Sequence, residues 1–577
     1  MDPSRFRTGP MMTEHVVDTE VKTTAAADPD VAPSEQKEMP CAPTPSNGLG
    51  AWNLYFLLKF VLVWRGQLDF HPLENLAFAA FLLVPIRSRL LRHLRNLLAL
   101  FLGIALFYHD TWLPSPDTLL TKLDALAGFS GQYLLELALR LVNLRLVSLL
   151  VLVWVGYVFL SRYLRIGVLT MGVLIAMAVA DVVATPRTSI PGAPETSADG
   201  SSCVDDAASP PTQVPPHRGD IQAILYQELD DFRRTERERR VPFPSGTVPT
   251  FDLLLLHICS LSWDDLEWAG LTEHPLLAQF DMLFTRFNSA SSYSGPAAIR
   301  LLRANCGQPS HHDLYFPAPN DCYLFENLRR AGFDTDLYLN HDGRYGNFLT
   351  NAVQQYGGWK SAPASIDDTP IQQHAFDGTP IHDDLGVLSR WLAHRTENTG
   401  PSATYYNTIS LHDGNRLVGS GARLDSLSNY AIRLRRLLDN LLAFFQKLEK
   451  SGHRTVVVMV PEHGAAVRGD RIQLAGLREI PSPAITLVPA GIRFFGFGIE
   501  HDRQKRIQQP VSYLAISELI RRVIDHSAAQ PTQPLDLVSL AQDLPETRFV
   551  SENEEVVVMR HHGQYYLRLE DRQWTPY

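Results

Sequence analysis

The sequence predicts an α/β protein in two parts: an N-terminal multi-span α-helical membrane domain, then an α/β domain with a mostly parallel central sheet. Two observations predict this. First, hydropathy divides the 577-residue chain sharply: residues 1–48 are polar, 51–183 strongly apolar, and 251–577 globular in composition. The mean hydropathy of −0.08 averages over that division. Second, short apolar runs in the last part alternate with helical patterns, as strands and crossover helices do. The length allows roughly three or four domains of about 150 residues. A net charge of −10, from 52 Lys+Arg against 62 Asp+Glu, argues against nucleic acid as a partner. A hydrophobic content of 45% excludes a wholly disordered chain. Five cysteines, at 41, 203, 259, 306 and 322, are too few for a disulfide scaffold.

In chain order, residues 1–48 mix Pro, Ala, Thr and acidic residues and read as a disordered cytoplasmic tail. It lacks a basic segment followed by an apolar core, so no signal peptide is expected there. Residues 49–183 hold five apolar stretches, near 51–66, 72–86, 94–109, 146–164 and 166–183. Several are shorter than the roughly 20 residues a span needs, and flanking Arg and Trp can make up the difference. A buried bundle in a soluble domain is the competing reading. Arg87, Arg89, Arg92 and Arg95 fall between the second and third stretches, and Arg162 and Arg165 between the fourth and fifth. Positive charge marks both loops as cytoplasmic. The chain after Val183 then lies outside, in the periplasm of a Gram-negative cell, with the inner membrane as anchor. Leu at helical spacing in 116–145 predicts an amphipathic helix on the outer interface. Residues 184–218 form a Pro/Ser/Gly-rich linker, and 219–577 a periplasmic globular domain. Its strand-like runs are FDLLLLHI, TDLYLN, YNTISL, TVVVMV and AITLVPA; its helical patterns include GPAAIRLLRAN and LSNYAIRLRRLLDNLLAFFQKLEKSG.

Ligands of open α/β sheets bind beyond the C-terminal ends of strands. The residues there are Cys259-Ser260 after FDLLLLHI, His412-Asp413 after YNTISL, and Glu462-His463-Gly464 after TVVVMVP. A thiol, imidazoles and a carboxylate are zinc-type ligands. Each alone is also an ordinary buried or hydrogen-bonded residue; their meeting at one sheet edge is what points to a site. Ser294 stands where the N-cap of GPAAIRLLRAN belongs. An ordinary capping serine is one reading. The other is a nucleophile held where unpaired N–H groups and the helix dipole favour a phosphoryl group. Cys306 and Cys322, separated by a polar Pro-bearing loop, are natural disulfide partners in an oxidising compartment. Cys41 should be cytosolic and Cys203 unpaired. His311-His312 and His561-His562 read as surface residues. Trp263, Trp268 and Trp359 read either as the aromatic lining of a shallow binding site or as core.

An early strand-end ligand, a hydroxyl capping a helix and a late acid–His pair resemble the alkaline phosphatase/sulfatase superfamily. Five spans in front make the chain similar to its membrane-anchored phosphoethanolamine and lipoteichoic-acid synthase branch. That branch usually shows a carboxylate first ligand, a Thr nucleophile and Asp-His. The departures here, Cys259, Ser294 and Glu462-His463, together with FNSASSYSGPAAIRLLRANCGQ and VPEHGAA, resemble the narrower cellulose phosphoethanolamine transferase (BcsG) family over about residues 50–577. The resemblance implies an alkaline-phosphatase-like fold and a periplasmic zinc enzyme. It implies transfer of phosphoethanolamine from phosphatidylethanolamine to glucose 6-hydroxyls of nascent cellulose, alongside other subunits of the cellulose synthase complex. It further implies zinc on Cys259, Glu462 and His463 with Ser294 completing the shell, His412 and Arg478 toward the phosphate or in proton transfer, and Tyr293 shaping the pocket. The alternatives are a phosphodiesterase or sulfatase-type hydrolase, a phosphoethanolamine transferase acting on another envelope glycan or lipid, and a non-enzymatic scaffold.

Overall fold

The structure is a computed structural model. It describes residues 49–64, 68, 70–86, 88–111, 131, 133–136, 144–184, 218–398, 400–419, 429–470, 472–499, 504–530, 533–570 and 573–577. The expected tail 1–48 with Cys41, linker residues 185–217 with Cys203, Arg87 and most of the amphipathic segment 116–145 lie outside the described residues.

Five helices stand where the apolar stretches are: α1 (Trp52–Trp64), α2 (Pro72–Leu83), α3 (Arg89–His109), α4 (Leu144–Leu160) and α5 (Ile166–Ala184). Among the described helices, α3 is the one both long and apolar enough to cross a bilayer; α1, α2 and Ile166–Asp181 are shorter apolar helices. A small core of Phe56, Phe78, Leu82, Ala99 and Leu174 joins α1, α2, α3 and α5. Gly103 lets α3 approach α1: a Cβ there would lie 2.7 Å from the Trp52 ring. The outward apolar faces are bare, with Leu90 77%, Phe101 63%, Leu152 67% and Val168 69% exposed. The expected arginine loop between the second and third stretches is shorter than the sequence suggested. Ser88 is the N-cap of α3, so Arg89, Arg92 and Arg95 lie on its first turns. Arg95 Nη1 donates to Val84 O at 2.8 Å, satisfying a carbonyl just beyond α2. One polar cluster is buried among these helices. Lys59 Nζ donates to Asp110 Oδ2 at 2.7 Å, Asn75 Oδ1 at 2.9 Å and Leu106 O at 3.3 Å.

Helix α6 (Arg218–Glu238) opens the second part. Its main sheet has seven strands, in the order β10-β2-β9-β8-β1-β6-β3. These are β1 (Asp252–Ile258), β2 (Met282–Asn288), β3 (Asp334–Leu339), β6 (Ser402–Thr408), β8 (Thr455–Pro461), β9 (Leu487–Phe495) and β10 (Lys505–Ile507). Adjacent strands are parallel except for β9, which runs antiparallel to both β2 and β8. The sheet is therefore mixed, mostly parallel. Both faces are covered, so β1 reads as a continuous apolar run. Leu253 and Leu255 pack on one side with α8 (Ser294–Leu302) and α11 (Tyr513–Ala529). Leu254, Leu256 and Ile258 pack on the other with α9 (Asp384–Glu397) and α10 (Tyr430–Ser451). Two small sheets were not expected: β4 (Ile371–His374) and β5 (Pro380–His382) with β7 (Arg416–Leu417), and the C-terminal meander β11–β14 (Val550–Glu552, Val556–His561, Gln564–Leu569, Thr575–Pro576). Cys306 and Cys322 form a disulfide. Two histidines read as surface residues are enclosed. His311 is 9% exposed, and His561 Nδ1 meets Glu228 Oε1 at 2.9 Å.

Candidate active site

The register of three parallel strands brings the distant segments together. Ile258 on β1 is level with Thr408 on β6 and Pro461 on β8. The next residues continue the ladder: Cys259 N donates to Thr408 O at 3.0 Å, Glu462 N to Ile258 O at 2.8 Å and Leu261 N to His463 O at 2.6 Å. Ser260 makes the turn off β1 in the left-handed region, φ 64°. At Gly464 a Cβ would meet Ser262 Oγ at 2.5 Å and Asp265 Oδ2 at 2.9 Å. Those two residues form the capping box of α7 (Trp263–Trp268). Glycine is what lets the His463 segment pass that close.

The fourth segment enters from α8. Its N-cap is Tyr293, extended at φ −129°, ψ 145°, with no side-chain cap bond. Ser294 is thus the first helical residue rather than the cap expected from sequence. Ser294 Oγ lies 3.4 Å from Cys259 Sγ and 3.3 Å from His463 Nε2. His463 Nε2 is 3.8 Å from Glu462 Oε2. The donor atoms of Cys259, Glu462 and His463 all lie within 4.8 Å of one another, and all three residues are buried. Zinc bonds of about 2.0–2.3 Å imply tetrahedral edges of about 3.3–3.8 Å, the range of the 3.3, 3.4 and 3.8 Å separations above.

The chemistry of the donors fits a cation as well. Glu462 Oε1 accepts from Asn407 Nδ2 at 2.6 Å, while the buried Oε2 has no hydrogen-bond partner. His463 Nδ1–H donates to Gly464 O at 2.9 Å, which leaves Nε2 with its lone pair toward Ser294. Burial, with Glu462 beside it, pushes the Cys259 thiol up to about 12. Burial and then Arg478 hold His463 well below its ordinary range. Glu462 is raised by burial. Together these groups resist ionising on their own, and a cation would reverse that for the thiol and carboxylate.

The remaining expected residues surround this group. Arg478 Nη1 donates to Ser260 Oγ at 3.1 Å and lies 3.3 Å from His463 Nδ1. Its backbone carbonyl accepts from Ser292 Oγ and Asn553 Nδ2. The Tyr293 hydroxyl bonds Glu479, so Tyr293 braces the Arg478 segment. His412 Nδ1–H donates to Asp413 O at 2.7 Å. Burial first, then Arg478, lowers His412 to about 4, so it is neutral at pH 7. Its ring packs on Phe376 at 5.3 Å and Tyr345 at 6.0 Å. The His412 loop is also held from outside. Tyr133, from the N-terminal part, donates through its hydroxyl to Asp413 Oδ2 at 2.9 Å and stacks on Phe376 at 5.7 Å. Glu136 pairs with Arg416 at 2.7 Å. Of the tryptophans, Trp359 is 5% exposed and belongs to the core, and Trp268 is 39% exposed. Sequence reasoning missed Asn407, which orients Glu462, and His257, whose Nδ1 bonds Tyr405 Oη at 2.8 Å beneath the cluster. Both lie inside strands, where a polar residue among apolar ones was the available signal.

Comparison with known proteins follows the same division of the chain. Residues 52–179 match the family profile of the "Cellulose biosynthesis protein BcsG N-terminal domain", and residues 209–574 that of the C-terminal domain. "Cellulose biosynthesis protein BcsG" of Salmonella typhimurium is 43% identical over 566 residues, covering 94% of this chain and 100% of the relative. Its Escherichia coli K12 counterpart is 44% identical over 545 residues, covering 92% and 96%. Among solved structures, the integral membrane protein lipooligosaccharide phosphoethanolamine transferase A of Neisseria meningitidis aligns over 82% of this chain and 95% of its own. It does so at 14% identity and a TM-score of 0.38. The periplasmic domain of EcEptC from Escherichia coli aligns over 55% and 93%, at 12% identity and a TM-score of 0.39. Matched from end to end on both parts, with Cys259, Ser294, Glu462 and His463 gathered at one sheet edge, the chain belongs to the BcsG family of cellulose biosynthesis proteins.

Proposed function

We propose that the protein is a zinc-dependent phosphoethanolamine transferase of the inner membrane. It moves phosphoethanolamine from phosphatidylethanolamine to the glucose 6-hydroxyls of cellulose in the periplasm, through a covalent intermediate on Ser294. The carrying observation is the Ser294 hydroxyl, at the start of α8, within 3.4 Å of Cys259 Sγ and 3.3 Å of His463 Nε2. The bare apolar faces of α3, α4 and α5 support a membrane anchor. Under this reading residues 49–183 anchor the chain and 219–577 carry catalysis.

Cys259, Glu462 and His463 hold the metal, which supplies positive charge that lowers the serine hydroxyl pKa and offsets charge on phosphoryl oxygens. In the first step the Ser294 Oγ–phosphorus bond forms, the bond from phosphorus to the diacylglycerol oxygen breaks, and diacylglycerol leaves with a proton. In the second, the sugar hydroxyl attacks phosphorus, the Ser294 Oγ–phosphorus bond breaks and serine regains a proton; no water is consumed. The first-turn N–H groups of α8 and the Arg478 guanidinium face the phosphoryl oxygens. Neutral His412 accepts the proton of the incoming hydroxyl. Intact-protein mass spectrometry with phosphatidylethanolamine vesicles should find a phosphoethanolamine adduct on the Ser294 peptide, discharged by a glucan acceptor. An adduct on another serine overturns the assignment. Discharge by water alone at the same rate favours a hydrolase.

A further inference from the structure

We propose, resting on the transferase reading above, that Tyr345 and Asp377 form a specificity subsite that holds the ammonium end of the donor headgroup. The two residues come from elements without a role so far: the loop 341–347 and the turn between β4 and β5.

The loop is tied at its base to the metal group. His341 Nε2–H donates to Asn407 Oδ1 at 2.9 Å, and Asn407 Nδ2 donates to Glu462 Oε1 at 2.6 Å. His341 Nδ1 accepts from Gly343 N at 3.1 Å, which fixes that tautomer. Gly343 turns at φ 69°, where a Cβ would lie 2.7 Å from Leu349 Cβ. Gly346 and Asn347 follow in the left-handed region, at φ 59° and 53°. These turns reverse the chain sharply and leave Tyr345 between them, 44% exposed. Its ring is nevertheless held in place. It meets the Phe376 ring at 4.5 Å, T-shaped, and the His412 ring at 6.0 Å. Phe376 is buried and also packs on His412, at 5.3 Å. Tyr345 thus stands beside the proposed base with part of its ring open.

Two opposite charges flank this ring. Burial raises the Tyr345 phenol; the Arg478 guanidinium then lowers it and the Asp377 carboxylate raises it. Arg478 belongs to the catalytic group through Ser260 and His463. Asp377 follows Phe376 in the β4–β5 turn and is exposed. Its Oδ1 accepts from Thr379 N at 3.0 Å and Thr379 Oγ1 at 2.7 Å. Among the described residues no Lys or Arg pairs with it. Arg344 lies 3.7 Å from Asp342, and Arg416 pairs with Glu136.

A cation at the active centre, an open aromatic ring and a carboxylate without a cationic partner match a zwitterion. With its phosphate at Ser294 and Arg478, an aminoethyl phosphate carries its ammonium two methylenes further out, toward Tyr345 and Asp377. Aromatic faces and carboxylates both attract an ammonium. A headgroup of the same shape without that charge gains from neither. The unpaired carboxylate favours a cation over a neutral sugar on this ring.

The test is calorimetric titration of the full-length protein in detergent with phosphoethanolamine and with propyl phosphate, which has the same shape but no ammonium. Phosphoethanolamine should bind about tenfold tighter. Tyr345→Leu should cut that preference to about threefold or less, and Asp377→Asn should cut it a few-fold. Tyr345→Phe, which keeps the ring, should retain it. A residue that only supports the fold would weaken both ligands alike and leave their ratio unmoved. Equal binding of the two esters by the unaltered protein, binding of neither, or a ratio indifferent to Tyr345→Leu and Asp377→Asn overturns the subsite. An unmoved ratio with slower discharge of the Ser294 adduct by a glucan gives the ring to the acceptor and also overturns it. The transferase reading is judged separately, by the adduct itself. A preference for phosphoethanolamine without any Ser294 adduct keeps the subsite and removes the transfer; an adduct without the preference does the reverse.

Discussion

Two buried charged constellations, one in each part of the chain, are built oppositely. Among the N-terminal helices, every polar atom of the Lys59–Asp110 pair is engaged. The ammonium has three acceptors. Asp110 Oδ2 also accepts from Asn75 Nδ2 at 2.8 Å, and Oδ1 meets His71 Nδ1 at 2.9 Å. At the edge of the main sheet, Glu462 Oε2 is buried with no partner, and a thiol, a hydroxyl and an imidazole nitrogen converge beside it. A closed network needs nothing further and fixes helix packing. An open one needs a ligand to complete it. Buried charge alone says little about function; the unmet valence does.

The comparison is broken most severely at the nucleophile. Ser294→Ala should leave the fold intact, because this serine makes no cap bond, and should reduce transfer at least about a thousandfold, since no hydroxyl remains to carry the phosphoryl group. Metal analysis of the same protein should show Cys259, Glu462 and His463 still loaded; near-normal turnover would remove Ser294 from the mechanism. Cys259→Ala should instead lower zinc content itself, because water is a much weaker ligand than thiolate. Unchanged zinc would discard Cys259 as a ligand.

The closed network breaks differently. Asp110→Asn strands the Lys59 ammonium and should cost about 3–5 kcal/mol, read by unfolding in micelles. Adding Lys59→Met should recover much of that loss, a rescue no open site would show. Asn407→Ala sharpens the contrast from the other side. It frees Glu462 Oε1 and should weaken metal affinity about 10–100-fold, measured by chelator competition. Because Asn407 is buried and also bonds His257 O and His341 Nε2, it should cost about 1–3 kcal/mol of stability as well.

A further test of the comparison is on pH. Burial lowers His257 to about 3, His311 to about 4 and His412 to about 4, all below the ordinary imidazole value of about 6.5. From these three histidines the unfolded chain binds more protons than the folded one between these values, opposed in part by buried Asp265, raised to about 6, and by Asp384 and Glu462, also raised by burial. The histidine contribution to stability of the metal-free protein should be full above about pH 6.5 and fall as pH drops toward 4. Denaturant midpoints across that range check it, and His311→Asn should flatten part of the slope.

Much of this was legible in the sequence for a physical reason. β1 and β8 are covered on both faces and read as nearly unbroken apolar runs, while β6, rich in Ser, Thr and Asn, showed only as a short run bounded by turn signals; the three strand ends delivered Cys259, His412 and Glu462-His463. β2 was missed because Thr285 and Arg286 are only half-buried and interrupt its run. The C-terminal meander was missed because its short strands mix charge with apolar residues. The cap of α8 was displaced by one residue, since sequence places a serine before Gly-Pro but does not orient its hydroxyl. Asn407 could not be assigned at all: its role depends on the register of β6 against β1 and β8, which exists only once the sheet has formed.

Tyr133 and Glu136, which clamp the His412 loop from the membrane side of the chain, bear on how a donor would be found. A catalytic domain on a free tether would sample a volume above the bilayer. One pinned to the anchor keeps its active site at a constant height and orientation. Under the proposed function, lipid donors then arrive by lateral diffusion in a plane. Turnover would follow the surface mole fraction of phosphatidylethanolamine rather than its bulk concentration, and the glucan, not the lipid, would have to find its way to the site.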